Sequence, residues 1–243
     1  LKMAVSFEED AESGDLSVAW EQMVGQPEWQ QYLKQIIHEC GTFGGALAIA
    51  SEIPLGKGMG SSTSLVIAVC KCLLGEDCKE RAAEIEDIVN PGNSGIDFAV
   101  IWNESPVQFI KGSEPKVIDL PKNLLDGALL IDTGDPEQQT PELVAWVTER
   151  KEELSEPLEI IGNCSKKLQQ NTDLSEIFKE HNKAQQSLGI VTDKAKELIT
   201  KIEQEGGSAK VIGAGSRTGG CGMILAINTD ASLADNTYPI IRL

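Results

Sequence analysis

Apolar and polar residues alternate in LKMAVSF at residues 1–7, a period of two that predicts a strand. The period changes at Pro27. In PEWQQYLKQIIHEC the apolar Trp29, Leu33, Ile36 and Ile37 recur at helical spacing, behind a proline suited to a helix's first turn. GALAIASEIP alternates again and predicts a strand running into the glycine-rich PLGKGMGSSTS at 54–64. The apolar run LVIAVCKCLL follows at once, and the two together predict a helix over about 61–74. CKERAAEIEDIV predicts a further helix, closed by the turn-forming NPGNSG, with Asp97 directly after the turn. SPVQFI and GALLIDTG are strand-like. From about 140 to 205 the character changes to four helical segments, TPELVAWVTERKEEL, PLEIIGNCSKKLQ, LSEIFKEHNKAQQSLG and TDKAKELITKIEQEGG. Strand signals return at SAKVIGAG and GGCGMILAIN. The order predicts an α+β protein with a mixed N-terminal part and a helical C-terminal part, whose last strand pair closes a small sheet. Neither a repeat nor a low-complexity linker separates the two.

Composition narrows the partners. The 243 residues are enough for one large domain or two small ones. No run of 18 apolar residues occurs, so no membrane partner is expected. Lys and Arg number 21 against 38 Asp and Glu, and a net charge of −17 repels a nucleic-acid backbone. The six cysteines form no CxxC pair and only two histidines accompany them, which argues against zinc. Reduced thiols, with no basic-then-apolar leader, lead us to expect a cytoplasmic protein. A small molecule is the expected partner, and a homodimer is left open.

Three stretches carry chemistry. Glycines at 56, 58 and 60 leave the backbone free to approach a ligand closely, and Ser61, Ser62 and Thr63 stand where the helix starts, one of them as its cap. Loop and helix start together describe an anion site. The spacing is neither that of a Walker A loop nor that of a dinucleotide-binding fingerprint. The second stretch is EIEDIVNPGNSGIDFAV. Phosphoryl transfer needs a divalent ion and a group that orients or deprotonates the attacking hydroxyl. Glu86, late in its helix, and Ser62 can serve the ion, and Asp97 can serve the hydroxyl. In the third, KVIGAGSRTGGCGMIL, glycines between strands allow a turn that either closes over a substrate or supports the first loop.

In this order the three stretches resemble the GHMP kinase superfamily, whose members transfer the γ-phosphate of ATP to a small-molecule hydroxyl. PLGKGMGSST is similar to its P-x-G-x-G-L-G-S-S-[AS] motif, GAGSRTGGCG to its G-A-G-G-G-G-C-G turn, and NPGNSGIDFAV to the stretch found in the mevalonate kinase branch. The resemblance spans most of 40–228. It implies a two-lobed α+β fold: a ribosomal-protein-S5-like N-terminal domain over 1–125 with a left-handed βαβ unit, and a ferredoxin-like C-terminal domain over 126–243. It also implies ATP and Mg²⁺ as cofactors. The nucleotide would be held by Pro54, Gly56, Lys57, Gly58, Met59, Gly60, Ser61, Ser62 and Thr63, and the metal by Ser62 and Glu86. Asp97 would be the catalytic base. The substrate would lie at Ser94, Gly95, Thr140, Gly213, Ala214 and Gly215. Mevalonate is the acceptor this implies; a phosphomevalonate, mevalonate-3- or sugar kinase, or a catalytically silent nucleotide binder, stays open. Three departures stand out. The superfamily's first motif, P-G-[KR]-x-x-L-x-G-E-H with its catalytic Lys, is absent, and truncation is expected, because loss of an inner strand would leave a sheet edge unpaired. The interval from Ser62 to Glu86 is short. The third motif carries two extra residues, Arg217 among them, expected either in solvent or at a phosphate.

Overall fold

The structure, a computed structural model, describes residues 1–10, 12, 14–170, 173–230, 232 and 237–243. The chain divides into two units: Leu1–Leu55 with Gly60–Ile118, and Gly56–Met59 with Asp119–Leu243.

In the first unit β1 (Met3–Glu9), β2 (Leu16–Trp20) and β3 (Gly45–Ser51) form a sheet of order β1-β3-β2. β1 pairs antiparallel to β3 from Met3 opposite Ser51 to Glu9 opposite Gly45, and β2 runs parallel to β3. α1 (Pro27–Cys40) supplies the crossover that parallel pairing requires. α2 (Ser61–Leu74) is the centre of the unit. It packs against β1, α1, α3 (Lys79–Val89) and α4 (Ile96–Asn103), which is why its sequence is apolar all round rather than on one face. Leu65, Val66, Val69 and Cys70 are fully buried with Leu47, Ile36 and Ile85. A short ribbon, β4 (Val107–Gln108) with β5 (Lys116–Val117), follows.

The second unit holds β6 (Leu129–Asp132), α5 (Thr140–Glu149), α6 (Ser155–Leu168), α7 (Leu174–Ser187), α8 (Asp193–Gln204), β7 (Ser208–Val211), β8 (Met223–Ile227) and β9 (Ile240–Arg242). Its antiparallel sheet has the order β7-β8-β6-β9. Strand alternation sends Leu129, Ile131, Ala209, Val211, Ile224 and Ala226 against Leu198, Ile199 and Ile202 of α8. Leu225 and Ile227 pack instead with Phe178 of α7.

The strand-like and helical runs of the sequence fall on elements of the described type, with SPVQFI reduced to the two residues of β4. Four of these elements have no counterpart in the sequence reading: β2, α4, β5 and β9. Each is eight residues or fewer, too short for its period to be separated from a turn.

Candidate functional site

In the second unit the glycine loop is shaped by what lies behind it. Gly56 and Gly58 take φ of +70° and +75°, which L side chains rarely adopt. A Cβ on Gly213 would stand 2.9 Å from the Cα and O of Gly58, and one on Gly222 would stand 2.8 Å from the O of Lys57. The third motif therefore supports the loop backbone to backbone, one of the two roles its glycines allowed. Gly215 presses on the carbonyl of Ile190, and Ala214 joins an apolar cluster with Leu143, Leu188 and Ile190. Lys57 turns its ammonium onto Asp132, at 3.1 Å, and onto Asp135. Burial opposes its charge, but the hydrogen bonds to the two carboxylates prevail and hold its pKa above the ordinary lysine value. Thr140 opens α5 at the surface, after Gln139, which forms a capping box with Glu142.

In the first unit the helix cap differs from expectation. Gly60, at φ +66°, is the N-cap of α2, with no side-chain cap, and Ser64 N–H donates to its carbonyl at 2.9 Å. Only glycine readily takes that left-handed φ, so Ser61 becomes the first helical residue and is buried. A Cβ at Gly60 would also lie 3.6 Å from Cγ of Asp97. The residue that starts α2 is thus a direct neighbour of Asp97. Asp97 stands in the first turn of α4, whose own N-cap is the left-handed Gly95. Its carboxyl reaches solvent but is backed by enough protein that desolvation raises its pKa. Ser94 is exposed and accepts from the N–H of Ile96 at 3.3 Å.

Glu86 is only 3% exposed. Its Oε1 accepts from Thr63 Oγ1 at 2.7 Å and from Asn90 Nδ2 at 3.0 Å, and its buried Oε2 has no partner among the described residues. Burial raises its pKa; the Thr63 and Asn90 bonds oppose this, and the charge of Asp97 adds to it. Asn90 also donates to Tyr32 Oη at 2.6 Å, and Ser62 hydrogen-bonds the same hydroxyl. Burial, then the charge of Glu86, pushes the Tyr32 phenol up, so it stays a neutral donor. The unpartnered Oε2 is the acceptor a cation needs, and Glu86 with Ser62 fits one-carboxylate Mg²⁺ binding completed by phosphate oxygens. Among the described residues no group of three or more His, Cys, Asp or Glu is arranged to hold a metal by itself.

The first unit thus brings together Gly60, Ser62, Thr63, Glu86 and Asp97, and the second joins Gly58 to Gly213. Half-buried Pro54 and Met59 flank the loop. Tyr32, Asn90, Asp132, Asp135 and Gln138 are additions. Asn90, four residues after Glu86 and the C-cap of α3, had a readable spacing; the others come from distant segments. An open depression of about 610 Å³ lined by Glu205, Asn228, Thr229, Asp230 and Arg242 includes none of these groups.

The fold is that of the GHMP kinases, and residues 29–103 match the family described as the GHMP kinases N terminal domain. The relatives are mevalonate kinases. The chain is 31% identical over 212 residues to that of Pyrococcus furiosus, covering 77% of this chain and 61% of the relative. It is 30% identical over 204 residues to that of Pyrococcus horikoshii, covering 74% and 59%. It thus spans about three fifths of the length of these curated relatives. The Methanococcus jannaschii mevalonate kinase structure superposes with a TM-score of 0.78 at 19% identity, covering 98% of this chain and 86% of that one. No helix among the described residues is long and apolar enough to cross a membrane.

Proposed function

We propose that the chain acts as an ATP-dependent small-molecule kinase that phosphorylates the 5-hydroxyl of mevalonate. The observation that carries the reading is the pair of carboxyls near the start of α2: Asp97 beside Gly60, and the buried Glu86, bonded to Thr63 and with one oxygen unpartnered among the described residues. The names of the relatives support mevalonate as acceptor. Backbone N–H groups of the 56–61 loop and the start of α2 hold the phosphates. Asp97 accepts the acceptor's hydroxyl proton; its raised pKa makes it a stronger base than an ordinary aspartate. Thr63 and Asn90 orient Glu86, which with Ser62 would hold Mg²⁺; bound there, the ion neutralises charge on the phosphate oxygens.

Asp97→Asn keeps the side chain's shape and removes the base. Turnover should fall by roughly 10²-fold or more while nucleotide affinity stays the same. In the unaltered protein kcat should rise with pH through the raised pKa of Asp97, because only the ionised form takes the proton. ADP release with sugars but not with mevalonate would reassign the acceptor. Full activity in the variant would remove Asp97 from the role of base.

A further inference from the structure

Ser62 on α2 and Glu86 on α3 belong to different helices of the first unit, and a side chain of a third helix joins them. Tyr32 Oη, on α1, accepts from Asn90 Nδ2 at 2.6 Å and shares a hydrogen bond with Ser62. The same Nδ2 donates to Glu86 Oε1 at 3.0 Å, so both N–H groups of the Asn90 amide are committed. Thr63 Oγ1 donates to that oxygen at 2.7 Å, which leaves Oε2 as the carboxylate atom without a partner among the described residues. The phenol is itself held by its ring. Trp29, three residues earlier on α1, meets it edge to face with centroids 5.7 Å apart, and Trp20 of β2, only 4% exposed, meets Trp29 in the same way at 6.1 Å. The two ring pairs fix Tyr32 from the core outward.

A serine hydroxyl turns among three staggered positions, and a bond to a fixed partner selects one of them. Whichever of the two hydroxyls donates, at least one lone pair of the Ser62 oxygen stays available to a cation. Groups that bond metal ligands from outside orient them, and losing one costs about ten- to a hundredfold in metal affinity. We infer that Tyr32 is a positioning residue, which acts through Ser62 and through Asn90 to hold the two ligands of the divalent ion in one arrangement. This rests on the kinase reading above and adds to it the residue that prepares the metal site before the ion arrives.

The test is Mn²⁺ binding to the whole chain with ADP present, read by the electron paramagnetic resonance of the free ion, beside steady-state kinetics. Mn²⁺ takes the same oxygen ligands as Mg²⁺ and is directly observable. Tyr32→Phe keeps the ring against Trp29 and removes only the hydroxyl. Its Kd for Mn²⁺ should rise roughly tenfold to a hundredfold, and the Mg²⁺ concentration for half-maximal turnover should rise with it. The KM for mevalonate and the affinity for metal-free ADP should stay as they are, and the second of these shows that the variant is folded. An equal Kd for Mn²⁺ in the two proteins, or a loss of metal-free ADP binding as large as the loss of Mn²⁺ binding, overturns the inference and leaves the kinase reading standing. An unaltered chain that binds neither Mn²⁺ nor ADP overturns both.

Discussion

Glu86 is a residue whose ionised form the fold disfavours: it is buried, and one oxygen is unpartnered. Its folded pKa lies above the ordinary 4.5, so the folded chain holds that proton more tightly than the unfolded chain. The resulting stability is complete below pH 4.5 and is lost as pH rises through the folded value. Glu86→Gln keeps Oε1 for Thr63 and Asn90 and removes the charge. At neutral pH the variant should be about 1 kcal/mol more stable, a rise of ~2–4 °C in Tm, with Mg²⁺-dependent turnover nearly abolished. The loss of stability with rising pH should also flatten. A lower Tm would mean that Glu86 serves the fold and not a ligand. The sequence made Glu86 and Asp97 visible because each sits beside a readable feature, a helix end and a turn. It hid Tyr32, 58 positions from Asn90, and Asp135, 78 positions from Lys57, since such pairings exist only after folding.

At the scale of elements, a turn between strands shapes the glycine loop through contacts that leave no room for a Cβ. Gly213→Ala combines a φ of +70° with an overlap at 2.9 Å against Gly58, and neither backbone has a flexible end that can yield. Gly206, at φ +92° with nothing within 4 Å, separates strain from contact. Gly206→Ala should cost about 1 kcal/mol of stability and leave the KM for ATP unchanged. Gly213→Ala should cost more than that and also raise the KM for ATP; equal effects of the two would remove the third motif from support of the loop. The glycines were plain in the sequence, but which loop they touch was not. Length set what was legible elsewhere. The 14 residues of α2 could be read as a helix from their apolar run and glycine start. α4 could not: IDFAVIWN is nearly all apolar, so its eight residues show no face. β2 alternates correctly at Leu16, Val18 and Trp20, yet five residues between polar turns give too few repeats.

For the molecule as a whole the dominant quantity is the charge of −17. Composition alone was enough to argue against a nucleic-acid partner, but it could not show where the few cations stand. Self-repulsion of a surface this acidic opposes folding and is screened over about 10 Å at 0.1 M salt. Ion pairs such as Lys57–Asp132, Arg81–Glu39 and Lys196–Asp193 work in the opposite sense and weaken with salt. Exposed pairs contribute only about 0–1 kcal/mol each, so repulsion should prevail. Raising NaCl from about 10 to 150 mM should increase Tm by a few degrees, because the Debye length falls from ~30 to ~8 Å. A fall in Tm with salt would show that the ion pairs outweigh the repulsion.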